Sequence, residues 1–246
     1  MRGLTASAAA GYAFAAVSQI HVFALTAGAD PVATATKPLL MPLLACWVLA
    51  RRGPRLLTAA LLCGWAGDVL LMPDSEPLFL AGMGAFALGH LCYLRLARTA
   101  PAAPAPGGPG ALAGRPAALL AAGYGLVCVA AVALLWPGLE AGLRLPVAAY
   151  SLLLTAMAWA AACRLRSAGL LGGALFLLSD ALIAADLAGW PEPPLERTLI
   201  MATYLTAQFC LAVGVVTAYS APSPDGPAGG TEASSSATSR FGATTR

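Results

Sequence analysis

The sequence predicts an all-α, polytopic membrane protein, a bundle of about eight transmembrane helices with both termini on the cytoplasmic side. Three observations predict it. The 246 residues are 59% hydrophobic and only 10% charged, whereas a soluble domain carries about 25% charged residues to face water. The apolar residues gather in runs long enough to cross a bilayer, for which about 20 residues are needed. The arginines sit in short clusters between those runs, alternating from one side to the other.

Eight runs can be cut at charges and at Pro/Gly signals: roughly 8–27, 34–50, 55–72, 77–97, 117–136, 144–162, 168–188 and 196–219. They are too long and too uniformly apolar for barrel strands, so helices are expected. The first could be mistaken for a signal peptide, because Ala27-Gly28-Ala29 resembles a cleavage site. Its apolar stretch exceeds the usual signal core of about 7–15 residues, so a retained helix is expected. The second is the shortest, with Pro38 suited to a first helical turn and Pro42 expected to kink the helix and free a carbonyl. The third and the seventh each carry an aspartate after a small residue, in Gly67-Asp68 and Ser179-Asp180.

Charge tests the count. With eight spans and both ends inside, the inner segments hold Arg2, Arg51, Arg52, Arg55, Arg95, Arg98, Arg115, Arg164, Arg166, Arg240 and Arg246. The outer segments hold only Lys37, Arg144 and Arg197, while most acidic residues take the outer side. The alternation holds across every loop, as the positive-inside rule requires. Trp47 and Trp159 fall at inner helix ends, and Trp136 and Trp190 at outer ends, as an interfacial belt does. Trp65, about one turn inside the third helix, is the exception.

Residues 99–116 read as a flexible cytoplasmic linker between two four-helix halves within a 1–219 transmembrane domain, and residues 220–246 as a disordered tail. The six cysteines lie in six different runs with no CxxC pair, so small buried apolar residues are their expected role. The two histidines, His21 and His90, are too few for the usual three-ligand catalytic zinc. No metal and no cofactor is expected. Nor is a nucleic-acid partner, since the net charge is only +3.

An ionised carboxylate inside a membrane costs a few kcal/mol or more, so an intramembrane acid is a functional candidate by default. Asp68 lies five residues before Pro73, about 7 Å inside the outer boundary, and Asp180 ten residues before Trp190, about 15 Å inside. Lys37, the sole lysine, opens the second helix on the same side. The bland reading is a structural ion pair between Lys37 and one aspartate. His90 sits deeper on the fourth helix, with Phe86 and Tyr93 on its face, and could be a hydrogen-bonded core residue. Tyr204 and Gln208 form an i, i+4 polar pair on the eighth helix that must find partners. Gly82, Gly84, Gly89, Gly169 and Gly173 most simply permit close helix approach.

The combination Thr36-Lys37-Pro38-Leu39, Gly67-Asp68-Val69-Leu70-Leu71, Gly89-His90-Leu91-Cys92-Tyr93, Ser179-Asp180 and Tyr204-x-x-x-Gln208 resembles the YhhN family, from about Gly11 to Tyr219. That family includes lysoplasmalogenases. The resemblance implies hydrolysis of the vinyl ether bond of a lysoplasmalogen, releasing a fatty aldehyde and a glycerophospho-alcohol. It implies catalytic roles for Asp68 and Asp180, and matches the family's lysine and histidine to Lys37 and His90. Tyr93, Tyr204 and Gln208 join Lys37 and His90 as candidate substrate-binding residues. The expected partners are membrane lipids and a lysophospholipid substrate, in a bacterial plasma membrane.

The residues suit this chemistry in their own right. Cleaving an enol ether needs one protonated acid and one carboxylate that stabilises a cation and activates water, as in glycoside hydrolysis. Asp180, in the deeper apolar setting, is the expected acid, and Asp68, nearer the outer face and Lys37, the expected base. Lys37 could pair with Asp68 or bind the substrate phosphate as a point charge. Two other classes stay open: a proton-coupled transporter, which also carries intramembrane Asp and Lys, and a lipid-binding or structural protein in which the charges only fix packing.

Overall fold

The computed structural model describes residues 2–101 and 112–220, so most of the expected linker and nearly all of the expected tail lie outside the described residues. Eight helices follow in order: α1 Arg2–Thr26, α2 Asp30–Ala50, α3 Arg55–Leu70, α4 Glu76–Thr99, α5 Arg115–Leu135, α6 Ala141–Arg164, α7 Arg166–Leu187 and α8 Glu196–Ser220. Seven are long and apolar enough to cross a membrane. The exception is α3, whose 16 residues rise only about 24 Å against a hydrocarbon core of about 30 Å. It stops short at Leu70 because Pro73, three residues on, cannot continue a helix.

Seven of the helices close a ring. Each packs on the next in the order α1, α2, α3, α4, α6, α7, α8 and back to α1, and α8 also reaches α2 and α3 across the middle. The remaining helix, α5, rests against α6 and, over a shorter stretch, α7. Many large apolar side chains point outward, with Tyr12, Phe23, Leu119, Leu126 and Leu145 all exposed, while Leu40, Met41, Leu44 and Phe176 fill the core. His21, Asp68, His90, Ser179 and Gln208 are buried inside. This is the pattern of a protein whose outer solvent is lipid, an integral multi-pass membrane protein.

The turns account for several sequence signals. Ala27-Gly28-Ala29 is a helix stop: Gly28 has φ 68°, and the Ala29 N–H donates back to the Ala24 carbonyl at 2.8 Å. Gly189, with φ 70°, ends α7 in the same way, with the Trp190 N–H on the Ala185 carbonyl.

Three readings need correction. The second helix begins at Asp30, with Pro31 in its first turn, so Pro38 stands in the helix interior. The proline that suits a first turn is Pro31. Of the five glycines expected to bring helices together, Gly84 faces open space, with nothing within 4 Å of a Cβ placed there. Gly82, Gly89, Gly169 and Gly173 do sit against neighbours, for example Gly89 against the Ala60 carbonyl. All six cysteines are free, but only Cys163 is buried. An apolar run in this fold covers lipid as often as core.

Trp65 has a structural reason for standing off the interfacial belt. Pro42 has no N–H to give to the carbonyl four residues earlier, which leaves the Pro38 carbonyl without its helical partner. The Trp65 indole N–H donates to that oxygen at 3.0 Å, tying α3 to α2.

Candidate active site

The cavity of interest has a volume of about 170 Å³ and is walled by α3, α4, α5, α6, α7 and α8, with Lys37 reaching it from α2. Its lining is apolar except for a small polar group: Lys37, Asp68, Asp180, Tyr150, Tyr204 and a few hydroxyls. The two aspartates come from separate helices, α3 and α7. Both open onto this one space.

Asp68 stands in the last turn of α3 and is 4% exposed. Its Oδ2 accepts the Tyr204 hydroxyl of α8 at 2.9 Å. The Tyr204 oxygen in turn accepts from Gln208 Nε2 at 3.3 Å, and Gln208 Oε1 accepts the Tyr93 hydroxyl of α4 at 2.7 Å. Thus the polar i, i+4 pair on α8 is satisfied by one acid and one phenol from two other helices. Gly64 and Gly67 make room for this. A Cβ at Gly64 would come within 3.1 Å of Gln208 Nε2, and one at Gly67 within 2.5 Å of the Phe86 ring.

Asp180 is held by a second chain. Its Oδ2 accepts the Tyr150 hydroxyl of α6 at 2.5 Å, and the same hydroxyl lies 2.9 Å from His90 Nε2 on α4. Since the phenol spends its single proton on Asp180, the imidazole donates from Nε2 and leaves Nδ1 bare. His90 Nδ1 is indeed buried without a hydrogen-bond partner. The ring of Phe176, one turn before Asp180, packs edge-on against both His90 at 4.8 Å and Tyr204 at 5.5 Å between centroids. One aromatic thus buttresses both chains.

Depth and burial do not coincide here. Asp68 lies nearer its helix end yet is the more buried acid, with Tyr204 hydrogen-bonded to it; Asp180, deeper along α7, is half-buried and lines the same cavity. Lys37 forms no ion pair among the described residues, whose one ion pair is Arg197–Asp30 at 3.0 Å. Its ammonium is therefore not committed to either aspartate as a salt bridge.

Of the residues singled out from the sequence, Lys37, Asp68, Asp180 and Tyr204 line the cavity. His90, Tyr93 and Gln208 stand one layer behind, around a smaller void, and reach the acids through tyrosines. Tyr150 and Phe176 were not singled out. The signal for Tyr150 was available: a phenol in mid-span, away from both interfaces, needs a hydrogen-bond partner. The cavity itself brings together no three His, Cys, Asp or Glu ligand atoms among the described residues; Asp186, Glu192 and Glu196, which do lie within 4.8 Å of one another, sit around the connection between α7 and α8.

Comparison with known proteins adds a lineage. Residues 32–215 match the YhhN family. The chain is 36% identical to human Lysoplasmalogenase TMEM86B over 176 residues, covering 69% of this chain and 68% of that protein. The rat protein of the same name is 33% identical over 183 residues, covering 73% and 70%. Human Lysoplasmalogenase TMEM86A is 31% identical over 160 residues, covering 61% and 60%. No solved structure matches the chain. The matched segment takes in α2 to α8 almost whole, including Lys37 and both cavity aspartates, and the chain belongs to the YhhN family.

Proposed function

We propose that this protein is a membrane-embedded hydrolase that cleaves the vinyl ether bond of lysoplasmalogen-like lysophospholipids. The observation that carries the proposal is the pair Asp68 and Asp180, from separate helices, lining one apolar cavity with Lys37. The relatives' printed name, lysoplasmalogenase, points the same way.

The chemistry follows from charge balance. Two carboxyl groups and one ammonium in an apolar space are neutral when the pair holds one proton. Asp180 is the proposed acid, not for its depth, since Asp68 is the better buried, but because the Lys37 ammonium stands on the Asp68 side of the pair and favours a charged carboxylate there. Asp180 passes that proton to the β-carbon of the alkenyl group, and the former double bond's electrons form the new C–H bond. The ether-bearing carbon becomes an oxocarbenium ion, which the Asp68 carboxylate stabilises. Water then adds to that carbon and gives a proton to Asp68. The hemiacetal collapses to a fatty aldehyde and a glycerophospho-alcohol, with the hydroxyl proton lost and the leaving oxygen protonated. One water is consumed, and the pair ends with the single proton it began with.

Lys37 is the proposed anchor for the phosphate, as the one cation among the described residues that line the cavity. Tyr204 and Tyr150 orient the two carboxyls, so that each presents its other oxygen to the substrate. His90, Tyr93 and Gln208 support those tyrosines. The proposed topology puts both termini and the arginine-rich loops at the cytoplasmic face of a bacterial plasma membrane, with Asp68 and Lys37 towards the opposite face; the charge asymmetry of the loops supports it.

The test is mass spectrometry of purified protein incubated with a lysoplasmalogen, an ester lysophospholipid and a saturated alkyl ether analogue. Aldehyde release from the first alone is the expected result. Cleavage of the ester lipid, or no cleavage of any, overturns the assignment.

A further inference from the structure

We propose that the alkenyl chain of a single-chain lipid enters the cavity sideways from the bilayer, between α4 and α5, and lies in a slot between those two helices. This rests on the lipid-hydrolase reading and adds to it a place for the chain and a route. The slot has two walls. Phe79, Met83 and Phe86 of α4 form one, and Tyr124, Cys128 and Ala131 of α5 form the other. Both sets repeat at i, i+4 and i+7, the spacing of one helix face, so two matching apolar stripes flank the same space.

The packing explains why the space is open towards lipid. After α4 the ring of helices continues with α6, and α5 rests on α6 and α7 without packing along α4. Within α5 only Leu135 is buried, and a Cβ added at Gly123 or Gly125 would meet nothing within 4 Å. The helix is thus held mainly on one flank, and its one buried residue, Leu135, shares an apolar cluster with Phe79 and Leu80 of α4 at one end of the slot.

Length and polarity fit one lipid chain. The lining stripe of α5 runs on from Tyr124 to Leu135, about 16 Å at 1.5 Å per residue, close to half the hydrocarbon core of about 30 Å. One leaflet's chain has that reach. The same cavity carries a polar group, with Lys37 the one cation among the described residues that line it, where a phosphate headgroup attached to the same chain would sit.

The protein, in lipid nanodiscs, is exposed to a saturated alkyl-ether lysophospholipid bearing a diazirine at the chain end. After irradiation, labelling that excess unlabelled lysophospholipid suppresses is expected in the α4 and α5 peptides. Suppressible labelling confined to other helices, or none at all, overturns the slot. This readout needs no turnover, so it stands even if vinyl ether cleavage fails. In the turnover assay, Ala131→Trp is expected to lower the rate ratio of hexadecenyl to butenyl substrate by about ten-fold. Val129→Trp, on the exposed face of α5 and outside the cavity lining, is expected to leave the ratio unchanged. An unchanged ratio in Ala131→Trp, including an equal loss at both chain lengths, contradicts the slot.

Discussion

Tyr150 and Asp180 are joined by a 2.5 Å hydrogen bond in which the phenol donates, and the same phenol oxygen is reached by His90 from a third helix. One acid of the pair is thus fixed by a chain crossing α4, α6 and α7, while the other is fixed by a chain crossing α3, α4 and α8. Among the described residues the two chains share no hydrogen bond, and the Phe176 ring packs against both. Separate settings for two like carboxyls allow them to take unlike roles.

Removing one hydroxyl tests this arrangement. Tyr150→Phe keeps the ring beside His90 but deletes both hydrogen bonds. Asp180 becomes charged as it gives up its proton, and a hydrogen bond to a charged group is worth about 1.5–3 kcal/mol, so kcat is expected to fall by about ten-fold or more with KM little changed. Steady-state kinetics with KM and kcat separated is the measurement. An unchanged kcat would show that Asp180 needs no help from Tyr150.

Lys37 carries the headgroup prediction. Lys37→Met is expected to raise KM about ten-fold for a phosphate-bearing substrate and much less for an alkenyl glycerol without phosphate, with Lys37→Arg in between. Equal effects on both substrates would assign the ammonium to the carboxyl pair instead of the phosphate.

Two glycines predict opposite signs. A Cβ at Gly67 would press into the Phe86 ring, whereas one at Gly84 meets nothing within 4 Å. Gly67→Ala should cost about 1–3 kcal/mol through overpacking. Gly84→Ala should stabilise its helix by about 0.5–1 kcal/mol through reduced backbone freedom. Thermal unfolding in one detergent compares them directly, and a lower Tm for Gly84→Ala would contradict the assignment.

The Trp65–Pro38 bond predicts a coupling. Trp65→Phe strands the Pro38 carbonyl and should cost about 1–2 kcal/mol. In a Pro42→Ala background the new Ala N–H can take that carbonyl, so the same change should cost less. Additive effects in the double-mutant cycle would mean that the indole is not replacing the missing helical bond.

The helices were legible because lipid leaves few choices: a long apolar run bounded by arginine or Pro/Gly must be a helix. The cuts at 55, 168 and 196 therefore fall within a few residues of the observed starts at Arg55, Arg166 and Glu196. The cut at 34 started α2 one turn late, because Asp30 and Pro31 interrupt the apolar run, although both are at home in a first turn. The acids were legible as buried charges, and their neighbours only partly. Asp68, His90, Tyr204 and Gln208 stand out in apolar runs by polarity alone. Tyr150 reads as one more aromatic until its hydroxyl is required to have a partner. Which glycine touches a neighbour, and which acid is the better covered, depends on helix rotation. Composition does not encode that when both faces of a helix are apolar.

The central claim is that Asp68 and Asp180 together deliver a proton to carbon and a water to the adjacent position. Hydrolysis in heavy water, with the aldehyde trapped and analysed by mass spectrometry, tests it most directly. The expected result is one deuterium on the carbon next to the aldehyde carbon, with the rate reduced by about a hundred-fold or more in both Asp68→Asn and Asp180→Asn at unchanged Tm. Aldehyde released without that deuterium, or full activity in both variants, would contradict the account.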